Sequence, residues 1–279
     1  MLGKAHTYRL LASPVILAVF LLFISATIAL AASHVQRLSL VGPKQYYLAL
    51  GDSLAFGYQP NLNYDDGYAD DFFSNLQSHG DQKLANLGCP GETSSTLIQG
   101  GCPYPFLRKY FYLGPQLSAA INYLHRHVGQ VSPVTLDIGA NDLLPDINAS
   151  NCTVSSSFDS DLAKVDQNLT GTILPQLTTA LTVNGQLTGD LVLMNYYDPY
   201  QNICPNSVPY VQTLNQHLQT DVNAFGATIV DVFSAFGGAG VPNKNICTYT
   251  WVCSIFKDIH ATDTGYSVIA STFESGTGY

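Results

Sequence analysis

The sequence predicts an α/β fold, a three-layer sandwich with a parallel sheet between helices, and three observations carry this. Short apolar runs with strand character alternate with helical patterns from Tyr46 onward. Each run breaks into small, turn-forming residues, as in Tyr46-Tyr47-Leu48-Ala49-Leu50 followed by Gly51-Asp52-Ser53. Between the runs there is room for right-handed helical crossovers, the usual connection between parallel strands.

The expected strands are Tyr46–Leu50, Val134–Ile138, Leu191–Asn195 and Thr228–Val232, with a weaker one at Leu84–Leu87. Tyr68, Phe72, Phe73 and Leu76 fall at helical spacing, as do Leu117, Ile121 and Leu124. A longer helical pattern covers 158–182 with an expected bend at Pro175, and another covers 208–225. A last helix follows His260, with Thr262 or Asp263 as its N-cap and Tyr266, Ile269 and Ala270 facing inward. The stretches Gly88–Pro105 and Asp146–Ser157 read as elaborated loops.

Ahead of this domain lies a basic start (Lys4, Arg9) and an apolar run from Leu10 to Ala32. Ala29-Leu30-Ala31 fits a small-x-small cleavage site, so residues 1–32 read as a signal peptide, or alternatively as an uncleaved anchor, and 33–279 as one exported domain. Membrane contact is expected only through an uncleaved N-terminal helix. Removal of Lys4 and Arg9 takes the basic count from 11 to 9 against 20 acidic residues, changing the formal charge from −9 to −11. That balance argues against nucleic acid and against an anionic membrane surface as partners. With 46% hydrophobic and 11% charged residues, the chain can bury one large core.

Six cysteines (Cys89, Cys102, Cys152, Cys204, Cys247, Cys253) all fall in the exported part and favour disulfides. Nearness in sequence points first to Cys89–Cys102 and Cys247–Cys253, which leaves Cys152–Cys204. Neither C-x-x-C nor H-E-x-x-H spacing occurs, so no metal site or cofactor is expected.

Four short stretches lie at or near the ends of the expected elements: Gly51-Asp52-Ser53-Leu54, Asn86 to Ser94, Asp137-Ile138-Gly139-Ala140-Asn141-Asp142, and Asp258-Ile259-His260. In a parallel sheet the carboxyl ends share one edge, so distant segments can meet in one cleft. Acyl transfer needs these types together. A serine hydroxyl is a poor nucleophile until an imidazole takes its proton. The tetrahedral oxyanion then needs fixed donors, such as backbone N–H groups beside glycine and a neutral amide. Ser53, His260, Gly91 and Asn141 supply one of each.

In their order along the chain, the four blocks resemble those of the SGNH hydrolases, the GDSL esterases and lipases. The resemblance implies a five-stranded parallel sheet of flavodoxin-like type. It also implies Ser53 as nucleophile, His260 as general base, and an oxyanion hole of Ser53 N–H, Gly91 N–H and the Asn141 amide. The expected activity is that of a secreted, metal-independent serine esterase acting on a small or polymer-borne ester. The acyl group is either fatty or a carbohydrate acetyl, and the oligomeric state stays open. A serine peptidase ranks lower on block order. A non-catalytic glycan-binding protein on a degenerate site is the alternative.

One departure stands out. The family's orienting acid lies three residues before the histidine, where this chain has Lys257; Asp258 lies two before. Asp258 could still reach Nδ1, a main-chain carbonyl near Trp251–Lys257 could replace it, or the site could be a weakened dyad. Of the other polar residues, Asp52 and Asp142 read as loop-pinning acceptors, and His125 and His127 as surface groups. Tyr196, Tyr197 and Tyr200 could line a pocket, and Asn148, Asn151 and Asn168 head N-x-S/T sequons.

Overall fold

The computed structural model describes residues 40–80 and 83–279. The expected signal segment lies outside the described residues. Five strands form one sheet: β1 (Tyr46–Gly51), β2 (Lys83–Asn86), β3 (Val131–Asp137), β4 (Leu191–Met194) and β5 (Thr228–Val230). All pairings in it are parallel and their order is β2-β1-β3-β4-β5, the flavodoxin-like arrangement. In that order the chain reverses direction across the sheet between β1 and β3, and ligands bind at such a switch point. Ser53 follows β1 and Asn141 follows β3, so the topology alone brings two of the expected groups together.

The central strands β1, β3 and β4 are almost wholly buried, since helices cover both faces of the sheet. Every residue of β3 is buried, and it begins at Val131, three residues before the apolar run that marked it in the sequence. The helix Tyr68–Leu76 packs against the last helix, Asp263–Thr277, with the Tyr68 and Phe273 rings stacked at 5.1 Å and the Phe72 and Phe273 rings at 5.6 Å. Full burial of a side chain such as Phe273 contributes roughly 1.5–3 kcal/mol. Thr262 caps the last helix, accepting the Gly265 N–H at 3.2 Å.

Two expectations need correction. The bend expected at Pro175 is an expanded turn just before it: a π-helical segment, Leu169–Ile173, joins the helices Phe158–Asn168 and Leu174–Leu181. The wider turn accommodates a proline that cannot donate to the ladder. Of the two histidines read as surface groups, His125 is exposed but His127 is half-buried, 4.1 Å from the Tyr46 ring.

All three expected disulfides form: Cys89–Cys102, Cys152–Cys204 and Cys247–Cys253. Among the described residues no helix is long and apolar enough to cross a membrane.

Candidate active site

The β1 strand ends at Gly51 in a conformation that a side chain would block. Its φ is +137°, and a Cβ there would overlap the Asp137 carbonyl and come within 2.7 Å of that residue's carboxyl carbon. The turn is then nailed down from below. Buried Asp137 accepts the N–H groups of Asp52 and Ala55 on Oδ2, each at 3.2 Å, and the Tyr68 hydroxyl on Oδ1 at 2.6 Å. Asp52 caps the short helix Ser53–Phe56 by accepting the Leu54 N–H at 2.8 Å. Ser53 therefore stands at the first position of a helix, where backbone N–H groups have no intrahelical partner.

Burial pushes both carboxyls up, Asp137 well above its ordinary value with neighbouring Asp52 adding to the rise. The linkage sign follows from that direction: a raised acid adds stability below its unfolded value near 3.8, and the contribution is lost as pH climbs through the raised one. Asp137→Asn keeps an acceptor for the two N–H groups and is expected to flatten the stability loss at rising pH. Asp137→Ala strands three donors and is expected to cost about 3 kcal/mol or more in urea unfolding. Equal costs for the two variants would show that these hydrogen bonds do not hold the turn.

The segment carrying Gly91 is joined to the same turn. The Gln116 amide exchanges two hydrogen bonds with the Gly51 backbone, at 2.7 and 2.9 Å, and donates to buried Glu92 at 3.0 Å. The Cys89–Cys102 bridge spans this loop. Gly91 itself has φ +80°, with Pro103 packed where a Cβ would sit. Asn141 donates one amide hydrogen to the Glu92 carbonyl at 3.0 Å, which fixes its side chain beside Gly91. Neighbouring Asp142 accepts the N–H and hydroxyl of Ser94 at 2.8 and 2.7 Å, tying the second and third blocks together. Asn168 also donates to the Ser94 and Ser95 hydroxyls, so the amide of that sequon is engaged internally.

His260 arrives from the far end of the chain, 207 residues away, and places Nε2 2.8 Å from Ser53 Oγ. Its Nδ1 lies 2.6 Å from Asp258 Oδ1, and the same oxygen accepts the His260 N–H at 2.8 Å. A carboxylate on Nδ1 selects the tautomer with the hydrogen there and leaves Nε2 as an acceptor facing the serine. Burial would raise the Asp258 carboxyl, but the hydrogen bonds and charge of His260 outweigh it and hold it below the ordinary 3.8. Of the three readings of the D-x-H block, the geometry matches the carboxylate contact. The ring is further held by Tyr58, 4.6 Å away, and its loop by the Tyr197 hydroxyl donating to the Ile259 carbonyl at 2.9 Å.

Ser53, His260, Asp258, Gly91 and Asn141 all line one cavity of ≈ 510 Å³. Its walls are mainly apolar: Leu143, Leu144, Ile147, Phe158, Val211 and Leu214 on one side, with Tyr58, Tyr104, Phe106 and Tyr196 among the aromatic groups. Tyr197 and Tyr200 line it as well, as their place after β4 allowed. Among the described residues one group of metal-ligand types sits close together, Cys89, Glu92 and Cys102, and the disulfide takes both of its thiols.

Residues 49–268 match the GDSL-like lipase/acylhydrolase family. The chain belongs to that family. As a member it is a carboxylic ester hydrolase. Solved structures with the same fold include an acetylxylan esterase from Geobacillus stearothermophilus, 16% identical, with a TM-score of 0.55 over 86% of this chain and 96% of that one. A carbohydrate acetylesterase from Sinorhizobium meliloti is 12% identical, with a TM-score of 0.53 over 85% of this chain and 100% of that one. An α/β hydrolase from a Lake Arreo metagenome gives 16% and 0.51, covering 85% and 96%. At such identities the likeness establishes the fold of this GDSL-like hydrolase. No curated protein matches its sequence significantly.

The sequence did not flag Asp137, Glu92 or Gln116 as parts of this site. Asp137 stands inside the third block, but nothing local marks it as the anchor of a turn 85 residues earlier.

Proposed function

We propose that this chain is a secreted serine carboxylesterase that cleaves esters of apolar acyl groups through an acyl-enzyme on Ser53. The observation that carries the reading is the Asp258–His260–Ser53 chain of contacts, at 2.6 and 2.8 Å, opening into a large apolar cavity. In the first step Ser53 Oγ attacks the ester carbonyl carbon while His260 Nε2 takes its proton. The oxyanion accepts hydrogen bonds from the N–H groups of Ser53 and Gly91 and from the remaining amide hydrogen of Asn141. His260 then returns the proton to the departing alkoxide. Water, deprotonated by the same nitrogen, releases the acid. Asp258 keeps the ring oriented and stabilises the imidazolium; its contact with Nδ1 supports a catalytic site over a degenerate one.

Of the two acyl classes, the cavity favours the longer. Its ≈ 510 Å³ lies within the roughly 300–1,000 Å³ of sites that enclose an organic ligand, and its Leu, Ile, Val and Phe lining suits an acyl chain better than a sugar hydroxyl surface. Each buried methylene contributes about 0.8 kcal/mol, roughly fourfold in kcat/KM. Nitrophenyl hexanoate and octanoate are therefore expected to exceed the acetate by at least about tenfold. A preference for acetate would overturn the apolar-acyl assignment. Labelling with an alkyl phosphonate, followed by peptide mass mapping, tests the nucleophile: the adduct is expected on Ser53, and an adduct elsewhere refutes it.

Export is supported by the three cysteine pairs and by the apolar, acid-free N-terminal stretch in the sequence. Detection of the mature chain in the medium, beginning near residue 32 or 33, checks it; a chain retained in the cytosol refutes it.

A further inference from the structure

Large apolar side chains that the fold leaves exposed are not spread evenly over this molecule. Among the described residues the six most exposed are Leu62, Phe106, Phe111, Leu113, Ile203 and Ile255, at 56% to 92% exposure. All six lie in connections that leave the carboxyl end of a strand and precede the helix that returns, and one of them, Phe106, lines the Ser53 cavity. The exposed apolar residues ahead of strand amino ends, Val41, Val128 and Leu187, reach only 37% to 52%. Single exposed apolar groups need no explanation, but a concentration at one functional edge does.

These side chains are held outward by anchored backbone. Between exposed Phe111 and Leu113, Tyr112 turns inward, donating its hydroxyl to the Leu87 carbonyl at 3.0 Å. The Arg108 guanidinium lies 3.9 Å over the Tyr112 ring and donates to the Tyr112 carbonyl. The Tyr110 N–H is held by the Asn86 carbonyl at 3.1 Å, and Cys102 ties the loop to Cys89. On the other side, Phe256 packs against Trp251 at 5.4 Å, and Trp251 donates to Gln59, which in turn donates to Asp263, the first residue of the last helix. Phe106 belongs to both features: it lines the cavity and is 78% exposed. Phe106 thus joins the exposed apolar side chains to the wall of the substrate cavity.

We propose that these side chains form a rim that docks the enzyme on the surface of an aggregated, uncharged or zwitterionic ester lipid, so that an acyl chain passes from the lipid phase into the cavity without crossing water. The proposal rests on the esterase reading above and specifies the physical state of its substrate. Aliphatic composition selects the occupant. Four of the six residues are Leu or Ile, which bury well in an acyl layer but give a sugar ring no flat face to stack on. The chain's single tryptophan, the side chain best suited to a glycan, is half-buried and engaged with Phe256 and Gln59. A formal charge of −9 for the whole chain disfavours anionic lipid, which points to a neutral surface.

Two separable measurements test the two claims. Hydrolysis of a soluble nitrophenyl ester by wild type and Ser53→Ala reports on the esterase reading alone. Flotation of the Ser53→Ala protein with phosphatidylcholine vesicles reports on docking without turnover. The protein is expected to float with those vesicles, and no more strongly with phosphatidylglycerol vesicles. In the otherwise wild-type enzyme, Leu113→Ser combined with Ile255→Ser, neither lining the cavity, is expected to leave soluble-ester kcat/KM within about twofold. The same pair placed in the Ser53→Ala background is expected to weaken vesicle binding by at least about tenfold. Circular dichroism and the melting temperature verify that the variants fold. Absence of the protein from the phosphatidylcholine fraction would overturn the proposal. So would equal flotation of the rim variant, salt-sensitive binding to anionic vesicles only, or retention on insoluble acetylated xylan instead of lipid.

Discussion

Replacing Ser53 by alanine is expected to lower kcat/KM by about 10⁴-fold or more, roughly 5.5 kcal/mol of transition-state stabilisation. The substitution removes one oxygen from a nearly buried site and leaves untouched the hydrogen bonds that hold the turn, since Asp137 and Asp52 grip backbone N–H groups of Asp52, Leu54 and Ala55. The fold should therefore survive, and a residual rate above that of free solution should remain from the oxyanion donors. Initial rates on a nitrophenyl ester, with urea unfolding as the control, measure both. Wild-type turnover by the variant would dismiss Ser53 as the nucleophile.

Asp258→Asn comes next in size, at about 10²–10⁴-fold in kcat/KM. An asparagine preserves the shape of the loop, yet its amide can donate to Nδ1. The imidazole would then carry its hydrogen on Nε2, the nitrogen that must accept from Ser53 Oγ at 2.8 Å. A loss below about tenfold would mean that an acceptor other than this carboxylate orients the ring. The pH dependence has a definite sign. Asp258 is held below 3.8 in the folded chain, so its contribution to stability is present above that value and is lost as pH falls through the depressed one. Acid titration of unfolding free energy in wild type and Asp258→Asn should diverge above about pH 4 and converge below it.

The fold was readable because its signals are local. Apolar runs such as Leu191–Met194 and helical spacing such as Tyr68-Phe72-Leu76 depend on neighbours a few residues away. Ser53, Gly91, Asn141 and His260 were legible for a different reason: the first three follow strand ends and the last precedes a helix, and the four blocks occur together. Asp258 could be named but not placed. Its reach to Nδ1 depends on Lys257, which adopts φ +53°, and on a tight turn in which the carboxylate accepts the N–H two residues on. Neither is visible in residue types. Glu92 and Gln116 were missed because their partners lie 24 and 65 residues away, where no spacing rule operates. The cavity is likewise beyond the reach of periodicity, since Phe158 and Leu214 look like ordinary core positions on their own helices.

The separation of 207 positions between Ser53 and His260 has a consequence for how such a chain is made. During synthesis the hydroxyl emerges early and the imidazole late, on the segment just ahead of the final helix, whose Tyr266 hydroxyl binds the Tyr58 carbonyl beside the histidine ring. A growing polypeptide therefore holds an unactivated alcohol until that helix seats against Tyr68 and Phe72 and His260 reaches Ser53.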